Sequence, residues 1–223
     1  MTDSRTEILE KVRRSLGSAS PRSESKSEDE ITKHYEAIAR DYNHSGKLDL
    51  QSRLDLFAER LRDYGASVHR CSGEQLSSVI AKILADRQIH RILVPSGIPA
   101  SSLTSAAIEF IPGSNNLTYN EMDKMEGVLT ACTAAIALTG TILLRHSPTE
   151  GSRAITLIPD YHLCVVFENQ VVETVPEAIR QMEQSRTLPM TTISGPSATS
   201  DIEMTRIKGV HGPRTLDVIL AKG

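Results

Sequence analysis

"GEQLSSVIAKILADRQIHRILVPSG", Gly73 to Gly97, decides the fold. Leu76, Val79, Ile80, Ile83 and Leu84 recur at helical spacing and give that helix one apolar face. Ile92-Leu93-Val94 then forms an unbroken apolar run that stops at Pro95 and Gly97. A short run without polar alternation is expected of a strand covered on both faces, the habit of parallel sheets. A helix feeding such a strand is the repeating unit of an α/β protein.

The pattern extends in both directions. In "LDLQSRLDLFAERLRDYG", residues 48–65, Leu50, Leu54, Phe57 and Leu61 lie on one stripe and Gly65 supplies the stop. "ASVHRCS" reads as a short strand. Downstream, "GVLTACTAAIALTGTILLRH" reads as a strand, a small-residue helix or turn, and a strand. "HLCVVFEN" is another buried strand, with "QVVE" expected to pair with it across Asn169. Thr174 and Glu177 form a capping box with Pro176 in the first turn, so a helix follows. "MTTI" and "TLDVILA" are the last two strands. The expected fold is α/β, a mostly parallel sheet flanked by helices.

Residues 1–46 differ from the rest. Ile8, Leu9, Val12 and Leu16 share a helical face that stops at Gly17. "SASPRSESKSEDE" is too polar and charged to order itself. Ile31, Tyr35, Ile38 and Tyr42 then share a second helical face. This portion is a helical arm with a Ser-rich linker, suited to a partner or neighbouring subunit, or to packing on the chain's own core. The domain proper is expected over 47–223.

Composition narrows the function. The 223 residues carry a formal charge of −3, 4% aromatic residues and no Trp. That balance offers neither a phosphate-binding surface nor a stacking platform, so nucleic acid is not an expected partner. The charged N-terminus lacks a signal-peptide core and no apolar run is long enough to span a membrane, so a cytoplasmic location is expected. Cys71, Cys132 and Cys164 are widely separated, without a CxxC, and an iron–sulfur cluster usually needs four thiolates. No cofactor is expected in this chain. Walker, GxGxxG, GxSxG and HExxH signatures are absent from the sequence.

Several turns could hold a ligand. After "MTTI" the chain reads "SGPSATSDIE". Ser194, Gly195, Ser197 and Asp201 stand where free backbone amides and hydroxyls could hold a carboxylate or phosphate. The same letters make a capping box of Ser200 and Glu203, which would only start a helix. Gly209, His211, Gly212 and Pro213 form a second turn, where His211 could act as an acid–base or simply anchor the backbone. Thr139-Gly140-Thr141 could serve an oxyanion, or be a tight turn needing a positive φ. Arg153, on a Gly/Ser loop, is a candidate carboxylate clamp. Cys132 is a candidate nucleophile without a visible base, and His162 with Cys164 a candidate metal pair without a third ligand.

The order of these pieces is more telling than any one of them. "GVLTACTAAIALTGTILL", "RAITLIPDYHLCVVFENQVV" and "TISGPSATSDIEMTRIKGVHGPRTLDVIL" together resemble the LUD-domain family, and within it the LutC-type lactate-utilization proteins. The resemblance runs from about residue 47 to 223. It implies a core like that of the NagB/RpiA/CoA-transferase group and work beside iron–sulfur proteins that oxidise lactate to pyruvate. The clusters would then belong to the partner subunits. It implies that Thr139 to Thr141, Ser194 to Ser197, Asp201, Glu203 and Gly209 to Pro213 are family motif positions, with Glu203 and His211 as the catalytic candidates. The family commonly has an acid before the Thr-Gly-Thr turn, and Leu138 stands there, so no carboxylate can act at that position. The expected function is a subunit supporting L-lactate oxidation, binding a small carboxylate or organising the complex, with homo-oligomers open. The alternatives are a stand-alone enzyme on a phosphorylated or acyl-CoA substrate, and a regulatory scaffold.

Overall fold

Asp49 opens the first helix of the main body, its carboxylate accepting the backbone N–H of Ser52 at 3.0 Å, and the left-handed Gly65 (φ +87°) closes it. The computed structural model describes residues 4–17, 28–39, 41–98, 103, 106–113, 117–183, 188–199, 207–208 and 212–223. The chain divides into two units, Met1–Tyr42 and Asn43–Gly223.

The first unit contains α1 (Ser4–Gly17) and α2 (Glu28–Glu36). Ile8, Leu9 and Val12 of α1 are exposed. The second helix stops at Glu36, short of Ile38 and Tyr42, which the helical spacing had included.

The second unit begins with α3 (Leu50–Asp63), which buries Leu54, Phe57, Ala58 and Leu61. Leu50, placed on the same stripe by its spacing, is exposed. The central sheet is formed by β1 (Ser67–Ser72), β2 (Arg91–Pro95), β3 (Glu109–Gly113), β4 (Gly127–Thr130), β7 (Tyr161–Phe167) and β12 (Thr215–Lys222). Its order is β1-β12-β7-β4-β2-β3, and every neighbouring pair is parallel. Helix α4 (Leu76–Asp86) packs Ile80, Ile83 and Leu84 on one face, against Leu163, Val165 and Ile219. Helix α5 (Tyr119–Asp123) follows β3 and leads into β4.

A second sheet covers the other face. It is formed by β5 (Ala134–Ile136), β6 (Thr141–Leu144), β8 (Val171–Val172) and β9 (Thr191–Ile193), in the order β8-β5-β6-β9. Ala135, Ala137, Ile142 and Leu144 meet Cys164, Val166, Leu216 and Val218 of the central sheet, with α3 closing the same core. Helix α6 (Val175–Gln181) lies on the outer face of the second sheet. Strands β10 (Ala198–Thr199) and β11 (Ile207–Lys208) form an antiparallel pair.

Two local expectations change. The small-residue segment after β4 contains a strand, β5, because alanines let the two sheets approach closely. Val171 and Val172 pair in parallel with Ala135 and Ile136, not back onto β7, since a 3-10 turn at Glu168–Gln170 carries the chain to the second sheet.

One polar cluster is sealed into the central sheet. Asp217 is fully buried. It accepts from Arg87 Nε at 2.9 Å and Nη2 at 2.8 Å, and from the Tyr161 hydroxyl at 2.9 Å. Burial, with the neighbouring Asp217 charge, raises the Tyr161 phenol above its ordinary range.

Candidate functional site

The amino ends of β7 and β12 face the end of β9 across a cavity of about 290 Å³. The loop before β7, the Ser194–Ser197 turn and the Gly212-Pro213 turn complete its wall. Arg153, Ser194, Gly195, Ser197 and Gly212, which the sequence marked separately, all line it. Gly195 has φ +90° and packs so closely on Tyr64 that a Cβ would lie 2.5 Å from the tyrosine Cβ. The two turns are stitched together where Ser197 donates its N–H to the Pro213 carbonyl at 2.8 Å.

Thr139 and Thr141 lie beside this cavity, in a neighbouring groove against α6, while Gly140 between them packs on α3. Gly140 has φ +58°, and a Cβ there would lie 2.7 Å from Arg60 Cβ on α3. The turn therefore has a packing reason for its glycine. Thr141 Oγ1 lies 2.7 Å from Thr139 Oγ1 and 2.8 Å from Ser194 Oγ, so one hydroxyl chain joins this turn to the cavity. Leu138, in the position of the missing acid, is exposed. Asp201, Glu203, Gly209 and His211 lie outside the described residues, and the expected helix start at Ser200 falls there too.

The loop that carries Arg153 is built around a buried carboxylate. Glu150 is 1% exposed and accepts from Thr133 Oγ1 at 2.6 Å, Arg145 N at 2.5 Å and Ser147 N at 3.2 Å. His146, left-handed at φ 55°, lies 3.0 Å from the Gly151 carbonyl through Nδ1 and 3.0 Å from Thr191 Oγ1 through Nε2. It ties the loop to β9. Arg145 is buried, and its Nε and Nη2 have no hydrogen-bond partner among the described residues.

Sequence reasoning did not find Thr156, Thr191 and Thr192 in the wall, and it assigned His162 a different task. His162 is 1% exposed and pairs with Thr130, Nε2 lying 2.8 Å from Oγ1. Burial pushes its pKa down to about 4, so the ring is neutral at physiological pH. The period-two spacing of His162 and Cys164 put them on one strand face, but Thr130, 32 residues away, defines the role. Among the described residues no group of three or more His, Cys, Asp and Glu could hold a metal ion. Cys132 is buried beside Cys164, and that contact together with burial raises its thiol well above the ordinary value. It is therefore not poised as a thiolate. A cation, several hydroxyls, two glycine turns and a neutral imidazole make a wall suited to a small anion.

The fold and this cavity define an α/β protein with a parallel central sheet, a second sheet on one face and a hydroxyl-rich pocket between them. The chain belongs to the LUD domain family, whose model matches residues 54–221. It is 45% identical over 169 residues to "Lactate utilization protein C" of Deinococcus radiodurans, covering 75% of this chain and 78% of that one. It is 30% identical over 183 residues to "Lactate utilization protein C" of Shouchella clausii, covering 79% and 71%. A crystal structure of a DUF162 family protein from Deinococcus radiodurans superposes with a TM-score of 0.68 at 38% identity, over 79% of this chain and 100% of that chain. No helix among the described residues is long and apolar enough to cross a membrane.

Proposed function

We propose that this chain serves lactate utilization as a subunit that supports oxidation of L-lactate to pyruvate beside iron–sulfur partner proteins. The pathway rests on relatives named for lactate utilization, aligned over about three quarters of the chain. The chain's own task is to bind a small carboxylate in the cavity beside Arg153. The observation that carries this reading is the convergence of Arg153 with Thr156, Thr191, Ser194 and Ser197 on one cavity. A planar guanidinium pairs with a carboxylate through two parallel hydrogen bonds, and hydroxyls take up the remaining lone pairs.

Deletion of the gene, with growth on L-lactate as sole carbon source, tests the reading. Growth should fail, return with the wild-type gene and stay impaired with Arg153→Ala, and the tagged chain should co-purify with iron–sulfur proteins. Normal growth of the deletion strain on L-lactate would remove the proposal.

A further inference from the structure

Thr191, Thr192, Ile193 and Ser194 are consecutive in the chain, and all four line the cavity. Side chains alternate between the two faces of a strand, so a cavity on one face touches every second residue. A cavity touched by each residue in turn runs along the strand's backbone edge. That edge is open. Strand β9 ends the order β8-β5-β6-β9, and β6 is its strand neighbour among the described residues. In an antiparallel ladder every second residue turns its N–H and C=O away from the partner strand. Among the described residues, no backbone hydrogen bond from another segment reaches Thr191, Thr192 or Ile193 on that side. Natural sheet edges are commonly blunted by Lys or Pro, and β9 contains neither. Pro189 and Pro196, which have no N–H to give, bracket the pairing stretch instead.

We propose that the cavity takes an extended peptide segment of a partner protein, which adds as a strand to the open edge of β9 and places a carboxylate on Arg153. This rests on the reading of the cavity as a carboxylate site and deepens it by naming what bears the carboxylate. Arg153 is the one charged side chain in the wall, since burial keeps His162 neutral, so the charge preference is for an acid. Main-chain bonds to β9 supply affinity and the guanidinium supplies selectivity. The carboxylate is that of an Asp or Glu side chain or of a chain terminus, which present the same pair of oxygens. Strand β9 is three residues long, about 10 Å, so the pairing segment is short. Arg153 also borders a second, open groove of about 610 Å³ lined by Tyr119, Leu157 and Ile158. A ligand longer than the cavity thus has an apolar path out past the same guanidinium. A small acid would pair with Arg153 and leave the edge of β9 unused.

The test is selection on the immobilised full chain from a synthetic random-heptapeptide library, half with free and half with amidated C-termini, followed by anisotropy titration of the selected peptides. Acid-bearing peptides should be enriched, and the two halves separate a terminal from a side-chain carboxylate. Each should bind at least about tenfold tighter than its amide counterpart, and Arg153→Ala should bring the two level. N-methylation of alternate amides should weaken binding by about tenfold in one register and leave it unchanged in the other, because a paired strand turns only every second N–H to β9. Equal effects of the two registers, or no enrichment of acid-bearing peptides, would overturn this inference. Saturable binding of L-lactate in a parallel titration would then leave the carboxylate site standing, and its absence would overturn both. The wild-type comparisons decide the matter even if the variant fails to fold.

Discussion

Thr141 Oγ1 and Ser194 Oγ lie 2.8 Å apart, joining two turns that are 53 residues distant in the chain. The contact closes the start of β6 onto the end of β9, where the Ser194–Ser197 turn begins to line the cavity. The Thr139–Thr141 turn thus bears on the cavity through its wall, and the exposed Leu138 before it supplies no acid.

Thr141→Val should therefore loosen the wall more than the fold. Loss of the part-buried hydroxyl, with its contacts to Thr139 and Ser194, costs about 1–2 kcal/mol in urea unfolding. The affinity for a small carboxylate should drop several-fold in calorimetry. An unchanged affinity would separate the Thr-Gly-Thr turn from the site.

The Arg87–Asp217 pair should respond asymmetrically. Arg87 is 40% exposed in its side chain and Asp217 0%. Arg87→Ala strands a fully buried carboxylate and should cost about 3–5 kcal/mol. Asp217→Asn keeps a neutral acceptor for Tyr161 and leaves an arginine that can reach water, so it should cost less. Denaturant midpoints of the two variants, compared directly, check the order.

Arg145 offers a stabilising substitution. Its buried Nε and Nη2 have no partner among the described residues, and an unsatisfied buried group costs about 1–3 kcal/mol. Arg145→Met keeps the length of the side chain and removes the demand. The isolated variant should unfold at higher denaturant concentration. A lower midpoint would mean that the guanidinium is satisfied in solution.

His162 should make the chain acid-sensitive above the usual carboxylate range. Its pKa is lowered from 6.5 to about 4 by burial. The unfolded chain then binds more protons between those values, and stability rises with pH across that window. The contribution is intact above pH 6.5 and is lost as pH falls toward 4, by about 3 kcal/mol. His162→Asn should flatten the profile, which denaturation at a series of pH values will show.

Much of the fold could be read from the chain. The helix over 76–86 and the strands at Arg91–Pro95, Tyr161–Phe167 and Thr215–Lys222 follow from periodicity and from apolar runs broken by turn residues. The second sheet could not be read. Ala134–Ile136 and Thr191–Ile193 are three residues long and Val171–Val172 two, too short for any period to register. Of the cavity lining, Arg153, Ser194, Gly195, Ser197 and Gly212 stood out in the sequence because turn chemistry is local. Thr156 and Thr191 look like ordinary strand-edge and loop threonines until the loop pinned by Glu150 and His146 brings them round. His162 depended on Thr130, and no local pattern encodes a cross-strand partner.

The most direct measurement is calorimetric titration of L-lactate into the purified chain and into Arg153→Ala. The account predicts saturable binding by the wild type and at least tenfold weaker binding by the variant, since a charged hydrogen-bonding partner contributes about 1.5–3 kcal/mol. No saturable heat with the wild type, or equal affinity in the two proteins, would contradict it.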